Sequence, residues 1–441
     1  MTEHEAFEIR FHAAVRDYAR RVSSDLDPVE LAHEIAVARP RRSGLLAPRL
    51  PGFAIPRLAW VLLLVAGLLA ATVGGLLVAG SQPKAELPAM VPAVLPAIEC
   101  PPGSNPDTPG PVGQVRPPQT FAAPAMAFDR RAGRIVMLVE ADPSGLPQIW
   151  TFDVCTNTWT RMADGPTDAG RNQLVYDADS DRSITIDTVG RVWAYDLASD
   201  TWTAKGFAPS GAGGTSSQGR PRLVYGPVSG NVLVAYGIDR LEWAGASPAP
   251  GRPGPDLFAY DVERDVWTAV STGDFSSSVL IAYDTAADRL VVYDFGVAGV
   301  TTRLLDLRTG AWSDVAAVTP SIRLNWFTTG NEIAYDEAAR RTVIFNVGRM
   351  DAYDAGADWW TVAYDEAPGG DFRDCLTSRC RSYATTIYDP VNQRLVVYGG
   401  IYADSATAAG TSVQDDSVLA YDLATGTWSV LLEATGVQPA G

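Results

Sequence analysis

From residue 124 to residue 432, short apolar runs alternate with tight polar clusters in a fixed rhythm. One recurring unit is an aromatic, then Asp or Gly, then Arg or Asn five positions on, then a run of Val, Ile, Leu and Tyr. It reads AFDRRAGRIVML, VYDADSDRSITI, VYGPVSGNVLVA, AYDTAADRLVVY, AYDEAARRTVIF and IYDPVNQRLVVY. The residues five positions after the anchor are Arg134, Arg182, Asn231, Arg289, Arg341 and Arg394. A second unit alternates with the first and places an Asp six residues before a Trp: Asp153/Trp159, Asp196/Trp202, Asp261/Trp267, Asp306/Trp312, Asp354/Trp360 and Asp422/Trp428. Short runs of β-branched and aromatic residues around an Asp/Gly-rich centre predict a β-hairpin for each unit. The anchor Asp is suited to accept backbone N–H groups two or so residues on. Its Trp has the area to pack between neighbouring sheets.

Two hairpins make a four-stranded unit, and the units recur at about 54 residues, a period that predicts a β-propeller. The expected fold is therefore all-β, with six blades between 124 and 432. Residues 112–123 are a candidate edge strand for closing the ring. The segment RLVVYGG…LAYDLATGTWSVL, residues 394–432, resembles a complete kelch repeat: an apolar strand, the Gly399-Gly400 pair, Tyr421-Asp422 and then Trp428. The double Gly occurs only in the sixth unit; Gly237, Gly296 and Gly348 stand singly or out of register elsewhere. The chain is thus similar to the wider kelch and galactose-oxidase-like superfamily, in a bacterial single-pass membrane form. The resemblance implies a scaffold that usually binds, with enzymes as a minority; fold alone does not settle function.

The chain before the repeats has a different composition. In residues 1–56 the apolar positions Phe7, Phe11, Val15, Tyr18 and Val22 recur at helical spacing. Asp27-Pro28-Val29-Glu30 reads as the capped start of a second helix that Pro40 stops. Leu58 to Gly80 carries no charge and is long enough to cross a bilayer, which predicts a transmembrane helix at 57–80. Arg39, Arg41, Arg42, Arg49 and Arg57 crowd its N-terminal flank, and only Lys84 follows closely on the other side. The positive-inside rule then places 1–56 in the cytoplasm, as a helical region open to a cytoplasmic protein partner, and the rest outside the cell membrane. Residues 81–123 are Pro-rich and predict an extended linker. Residues 433–441 remain as a tail.

Charge and residue inventory narrow the chemistry. The formal net charge is −16, which disfavours a nucleic-acid partner. The three His all precede residue 34, so a Ser-His-Asp or Cys-His arrangement is impossible in the repeat region. The copper site that the superfamily resemblance brings to mind does not carry over, and no cofactor or metal is expected. Asp177, Asp179 and Asp181 mimic the opening of a calcium loop but lack its sixth-position Gly and twelfth-position Glu. Catalytic residues are not assigned. A His-independent lyase or hydrolase built on paired acids is the alternative to a binding module, and signalling through 1–56 is a third. The four Cys, in an exported domain, predict disulfides pairing Cys375 with Cys380 and Cys100 with Cys155.

Hairpin geometry sorts the loops by face. The turns within hairpins, 129–134 and 153–159 and their repeats, share one face. The variable connections 163–172, 203–221, 235–256, 313–331, 361–384 and 401–417 share the other, where recognition residues are expected. The candidates standing outside the repeat register are Arg171, Arg220, Arg240, Trp243, Arg323, Trp326, Asp371, Arg373 and Tyr402. Exposed Trp stacks on sugar or peptide surfaces, so the expected ligand is an extracellular glycan, peptide or protein.

Overall fold

The computed structural model describes residues 98–118, 123–139, 146–167, 173–209, 221–236, 256–271, 275, 279–296, 299–316, 333–346, 348–365, 381, 383–403, 412–435 and 438–439. The chain divides into two compact units, 1–82 and 83–441, and all described residues belong to the second. The predicted helices of 1–56 and the predicted span at 57–80 lie outside them. Among the described residues there is no α-helix, and no helix is long and apolar enough to cross a membrane.

Six four-stranded antiparallel sheets follow one another along the chain. Blade one holds β1 (Ala125–Asp129), β2 (Arg134–Val139), β3 (Gln148–Asp153) and β4 (Thr158–Asp164). Blade two holds β5 (Val175–Asp177), β6 (Arg182–Ile186), β7 (Arg191–Asp196) and β8 (Thr201–Phe207). Blade three holds β9 (Arg222–Gly226), β10 (Asn231–Ala235), β11 (Leu257–Asp261) and β12 (Val266–Ser271). Blade four holds β13 (Leu280–Asp284), β14 (Arg289–Gly296), β15 (Gly299–Asp306) and β16 (Ala311–Asp314). Blade five holds β17 (Ile333–Asp336), β18 (Arg341–Asn346), β19 (Arg349–Asp354) and β20 (Trp359–Asp365). Blade six is interrupted: β21 (Thr385–Asp389) and β22 (Arg394–Tyr398) pair with β25 (Val418–Asp422) and β26 (Thr427–Leu432). The insertion and the chain end form a separate three-stranded ribbon of β23 (Ile401–Ala403), β24 (Ser412–Gln414) and β27 (Gln438–Pro439).

The sequence anchors define the register. Each anchor pairs with the residue five positions on, as in Asp129↔Arg134, Asp177↔Arg182, Gly226↔Asn231, Asp284↔Arg289, Asp336↔Arg341 and Asp389↔Arg394. The anchor carboxylate caps its own turn: Asp129 accepts the N–H groups of Arg131 and Ala132, and Asp306 those of Arg308 and Thr309. The residue four positions after every anchor has positive φ: Gly133, Asn157, Asp181, Asp200, Gly230, Asp265, Asp288, Gly310, Arg340, Asp358, Gln393 and Gly426. A four-residue hairpin loop needs that left-handed residue, and Gly, Asn and Asp adopt it most easily. The repeated Arg also has a partner: Arg134 faces Asp153 at 3.5 Å, and Arg182 faces Asp196 at 3.0 Å, across the second and third strands.

The core is six apolar clusters, one at each seam between blades. The repeat Trp residues reach across these seams. Trp159 meets Tyr398 of blade six at 5.4 Å, Trp360 meets Tyr293 of blade four at 5.8 Å and Trp428 meets Phe345 of blade five at 6.1 Å. β1 lies against β21, and the Thr385 hydroxyl donates to the Pro124 carbonyl at 2.7 Å, so the ring closes without a strand shared between its ends.

The part of the Pro-rich segment from residue 98 onward is packed against this ring. Cys100 is disulfide-bonded to Cys155 in the outer turn of blade one. Cys375 and Cys380 lie outside the described residues.

Candidate functional site

Antiparallel hairpins put all twelve anchor turns at one end of the ring, here the turn face. Several of its polar groups hold the blades together. The inner strands carry an aromatic just before each anchor: Phe128, Tyr176, Tyr225, Tyr283, Tyr335 and Tyr388. The Tyr225 hydroxyl donates to Asp179 of the preceding blade at 3.0 Å, and the Tyr388 hydroxyl accepts the Ala338 N–H at 3.1 Å. The Arg131 guanidinium meets Asp181 of blade two at 2.9 Å. Arg130 pairs with Glu337, joining the inner turns of two non-adjacent blades, one and five, and so crossing the mouth of the central opening. Burial pushes the carboxyls of Asp129, Asp336 and Asp389 above their usual range, and that of Asp177 up to about 6. Asp177, Asp179 and Asp181 are turn residues bonded to Ser180, Tyr225, Tyr176 and Arg131. Among the described residues no group of three or more His, Cys, Asp or Glu is placed to hold a metal ion.

The loop face is built differently in every blade. In blade two Asp187 accepts the N–H groups of Val189 and Arg191 and the indole of Trp193 at 2.9 Å, and the guanidinium of Arg191 stacks on Phe207 at 4.3 Å. In blade four Arg303 lies over Trp312 at 4.8 Å. In blade five Arg349 grips Asp351 through two bonds of 2.8 and 2.9 Å.

Among the described residues, blade six carries an added ribbon, β23–β24–β27. Its root is a buried polar cluster. Gly399 and Gly400 turn the chain out of β22 with φ of 69° and 107°, which a side chain at either position would strain. Arg381 is 1% exposed and donates to the Gly399 carbonyl and the Ser417 hydroxyl, each at 2.8 Å, with Asp415 at 3.7 Å. The neighbouring Asp416 accepts the N–H and hydroxyl of Thr435 and faces Arg116 at 3.6 Å. These residues fix the ribbon at both ends, since Thr435 leads into β27. Arg381 and the Asp415-Asp416 pair were not among the sequence candidates. Arg381 lies inside the expected variable connection 361–384, and nothing in the repeat pattern marks it as buried.

Of the nine predicted binding residues, Arg171, Arg220, Arg240, Trp243, Arg323, Trp326, Asp371 and Arg373 lie outside the described residues. Tyr402 is in β23, on the ribbon. The connections after β4, β8, β16 and β20 start later than the sequence pattern suggests. β4, β8, β16 and β20 continue two to five residues past their repeat Trp, because each outer strand pairs along its inner neighbour to the loop face.

No family model matches the chain, and no curated protein matches it. Solved structures are similar to it over part of their length. A structural genomics protein of unknown function from Bacteroides thetaiotaomicron is 13% identical, over 72% of each chain, with a TM-score of 0.43. TolB from Acinetobacter baumannii is 10% identical, over 70% of this chain and 65% of that one, with a TM-score of 0.44. A chain of the nidogen/laminin complex is 11% identical, over 68% of this chain and 93% of that one, with a TM-score of 0.42. The class of protein is a six-bladed β-propeller, and this rests on the six sheets, their seam clusters and the closed ring.

Proposed function

We propose that this protein is a binding module whose loop face takes an extracellular glycan, peptide or protein. The observation that carries the reading is the ribbon β23–β24–β27. It takes no part in closing the ring, yet Arg381, Asp415 and Asp416 hold its root rigidly on the loop face. A rigid scaffold with non-repeating additions at one end is a common way to build recognition. The turn face, by contrast, is bridged by Arg130 and Glu337 and spends its Tyr and Asp groups internally. Tyr402 on the ribbon, with Arg171, Arg220, Arg240, Trp243, Arg323, Trp326, Asp371 and Arg373 in the connections, supplies the aromatic and cationic contacts in this reading.

The kelch-like spacing of Gly399-Gly400, Tyr421-Asp422 and Trp428 supports a kelch-type scaffold. The uncharged stretch at 57–80 supports a single-pass anchor, with 1–56 cytoplasmic and the propeller outside. Ile98 sits against Gly133 at the turn face, opposite the loops proposed to take a ligand. The test is a glycan and peptide array probed with the full-length chain in detergent, paired with protease treatment of intact cells. Binding lost on Trp243→Ala, together with release of a propeller fragment by external protease, supports the reading. Binding that survives every loop-face substitution, or a propeller shielded from external protease, overturns it.

A further inference from the structure

We propose that residues 98–118 are a clasp that closes the ring between blades one and six, and that the Cys100–Cys155 disulfide holds this clasp shut, so that a dithiol reductant opens it. The proposal stands apart from any ligand.

The other seams show what is special about this one. At three of them the left-handed Asp of one outer turn accepts a backbone N–H from the outer strand of the preceding blade or from just beyond its end: Asp200 from Ala163, Asp265 from Gly206 and Asp358 from Ala316. Between blades three and four the Trp312 indole donates to Ser271 at 2.9 Å. Between blades five and six the Tyr421 hydroxyl donates to the Ala363 carbonyl at 2.8 Å. At the seam where the chain begins and ends, the corresponding positions are Asn157 and Leu432, and residues 106–114 lie between them.

The Asn157 side chain donates to the Pro106 and Thr108 carbonyls, each at 2.8 Å. The Gly110 N–H donates to Leu431 of blade six at 2.8 Å. The space at Gly110 is closed on both sides. A Cβ there would collide with the Asn157 carbonyl and lie 2.8 Å from the Leu432 side chain. Gln114 bonds both the carbonyl of Asn157 and the N–H of Trp159, at 3.1 and 2.8 Å. On the blade-six side Arg394, 3% exposed, donates to Pro106 and to Asp107 at 3.1 and 3.0 Å, and Arg116 reaches the Glu433 carbonyl and Asp416. Even the inner ring changes here: Phe128 stands where the other five blades have Tyr, and it packs in the cluster that Cys100, Ile387 and Val391 complete.

The disulfide decides whether this segment stays in place. Pro124 leads directly into β1, so one end of the segment belongs to blade one already. Cys100–Cys155 fastens the other end to the same blade, and the stretch between them lies across blade six. With both ends fixed, the non-covalent contacts to Leu431, Arg394 and Asp416 form within one closed loop; with one end free, they must hold it against chain entropy. In the opening step a thiolate of the dithiol attacks Cys100, the more exposed of the pair, and Cys155 leaves as a thiolate that takes a proton. The second thiol then closes the reductant into its own disulfide and frees Cys100 as a thiol. Two electrons and two protons pass from the dithiol to the two cysteines.

The experiment uses the full-length chain carrying Cys375→Ser and Cys380→Ser, so that only this disulfide responds, and follows hydrogen exchange with and without dithiothreitol. On reduction, exchange is expected to rise at least tenfold in residues 98–118, β1, β21 and β26, while blades three and four keep their protection, and reoxidation restores the seam. Gly110→Ala in the oxidised chain is expected to loosen the same seam with the disulfide intact. Should that variant not fold, reduction of the folded chain remains the test. A freed segment with an unchanged seam overturns the clasp. A segment that stays protected after mass spectrometry confirms reduction overturns the redox dependence. Loosening spread evenly over all six blades also overturns the clasp, since it marks general destabilisation.

Discussion

Tyr195 donates its hydroxyl to Asp200 at 2.6 Å, and the same carboxylate takes the Ala163 N–H of the neighbouring blade at 3.0 Å. Burial and this carboxylate push the Tyr195 hydroxyl up, so it remains a donor throughout the physiological range. One side chain in left-handed conformation, with φ of 52°, thus joins a turn, a strand and the next sheet. Asp200→Ala removes the acceptor from two donors and places a Cβ-only residue where Asp tolerated the backbone. It is expected to destabilise by about 2 kcal/mol. Asp200→Asn keeps an acceptor and tolerates the conformation, and is expected to cost about half as much or less. Urea denaturation of both variants checks the ranking; equal losses would mean the carboxylate bridges nothing.

Asp177 gives the fold a pH dependence of defined sign. Burial raises its carboxyl to about 6, against hydrogen bonds from Ser180 and Asp179 that pull the other way. The folded value lies above the unfolded one of about 3.9, so folding favours the protonated form. This contribution is fully present below pH ~4 and is lost as pH rises through about 6. Asp177→Asn removes the titration while retaining an acceptor for the turn. The difference in stability between variant and parent is expected to change by on the order of 2 kcal/mol between pH 4 and pH 7, in favour of the variant at the higher pH. Thermal melts across that interval measure it, and a difference that does not vary with pH would show that Asp177 stays ionised in the fold.

The repeat carried most of the architecture in plain view. Anchors, +5 residues and Trp fall in the sheets as the spacing predicts, because a hairpin register needs few residues and repeats them six times. The same lines of sequence also held the left-handed position four residues after each anchor, which is Gly, Asn or Asp at ten of twelve places, the exceptions being Arg340 and Gln393. Ring closure was not legible. It depends on Gly110 meeting Asn157 and Leu431 across more than 300 residues of chain, and no local pattern marks such a contact. The root of the ribbon was hidden for the same reason. Arg381, an exposed residue type by default, is buried because Gly399, Asp415 and Ser417 converge on it from a distant strand pair.

The thiols permit a direct check. Cys100–Cys155 closes a loop with a sequence separation of 55, which on the chain-entropy model corresponds to about 4 kcal/mol of stabilisation. Cys100→Ser is expected to lower stability by roughly that amount or somewhat less, since part of the segment's contacts persist. Mass spectrometry of non-reduced protein is expected to find this link and a second between Cys375 and Cys380. Free thiols at 375 and 380 would reject the second pairing, and with it one support for an oxidising compartment.

The tryptophans divide between architecture and recognition. Trp202 packs in the cluster between blades one and two, and Trp428 contacts Phe345, Tyr364 and Tyr421 at 6.1, 5.3 and 4.9 Å. Cutting either back to Ala opens a cavity at a seam on which the closed ring depends, and is expected to cost about 3–5 kcal/mol. Trp243, Trp326 and Arg373 follow no repeat position, and in the proposed function they face ligand rather than a neighbouring blade. Trp243→Ala, Trp326→Ala and Arg373→Ala are therefore expected to weaken ligand binding while leaving the melting temperature within a degree or two of the parent, as surface substitutions generally do (about 0.5 kcal/mol or less). Calorimetry on all five variants, beside binding to whichever ligand the array identifies, distinguishes the two groups. Loop variants that melt as early as Trp202→Ala would place those side chains in the fold's own packing and remove them from the binding face.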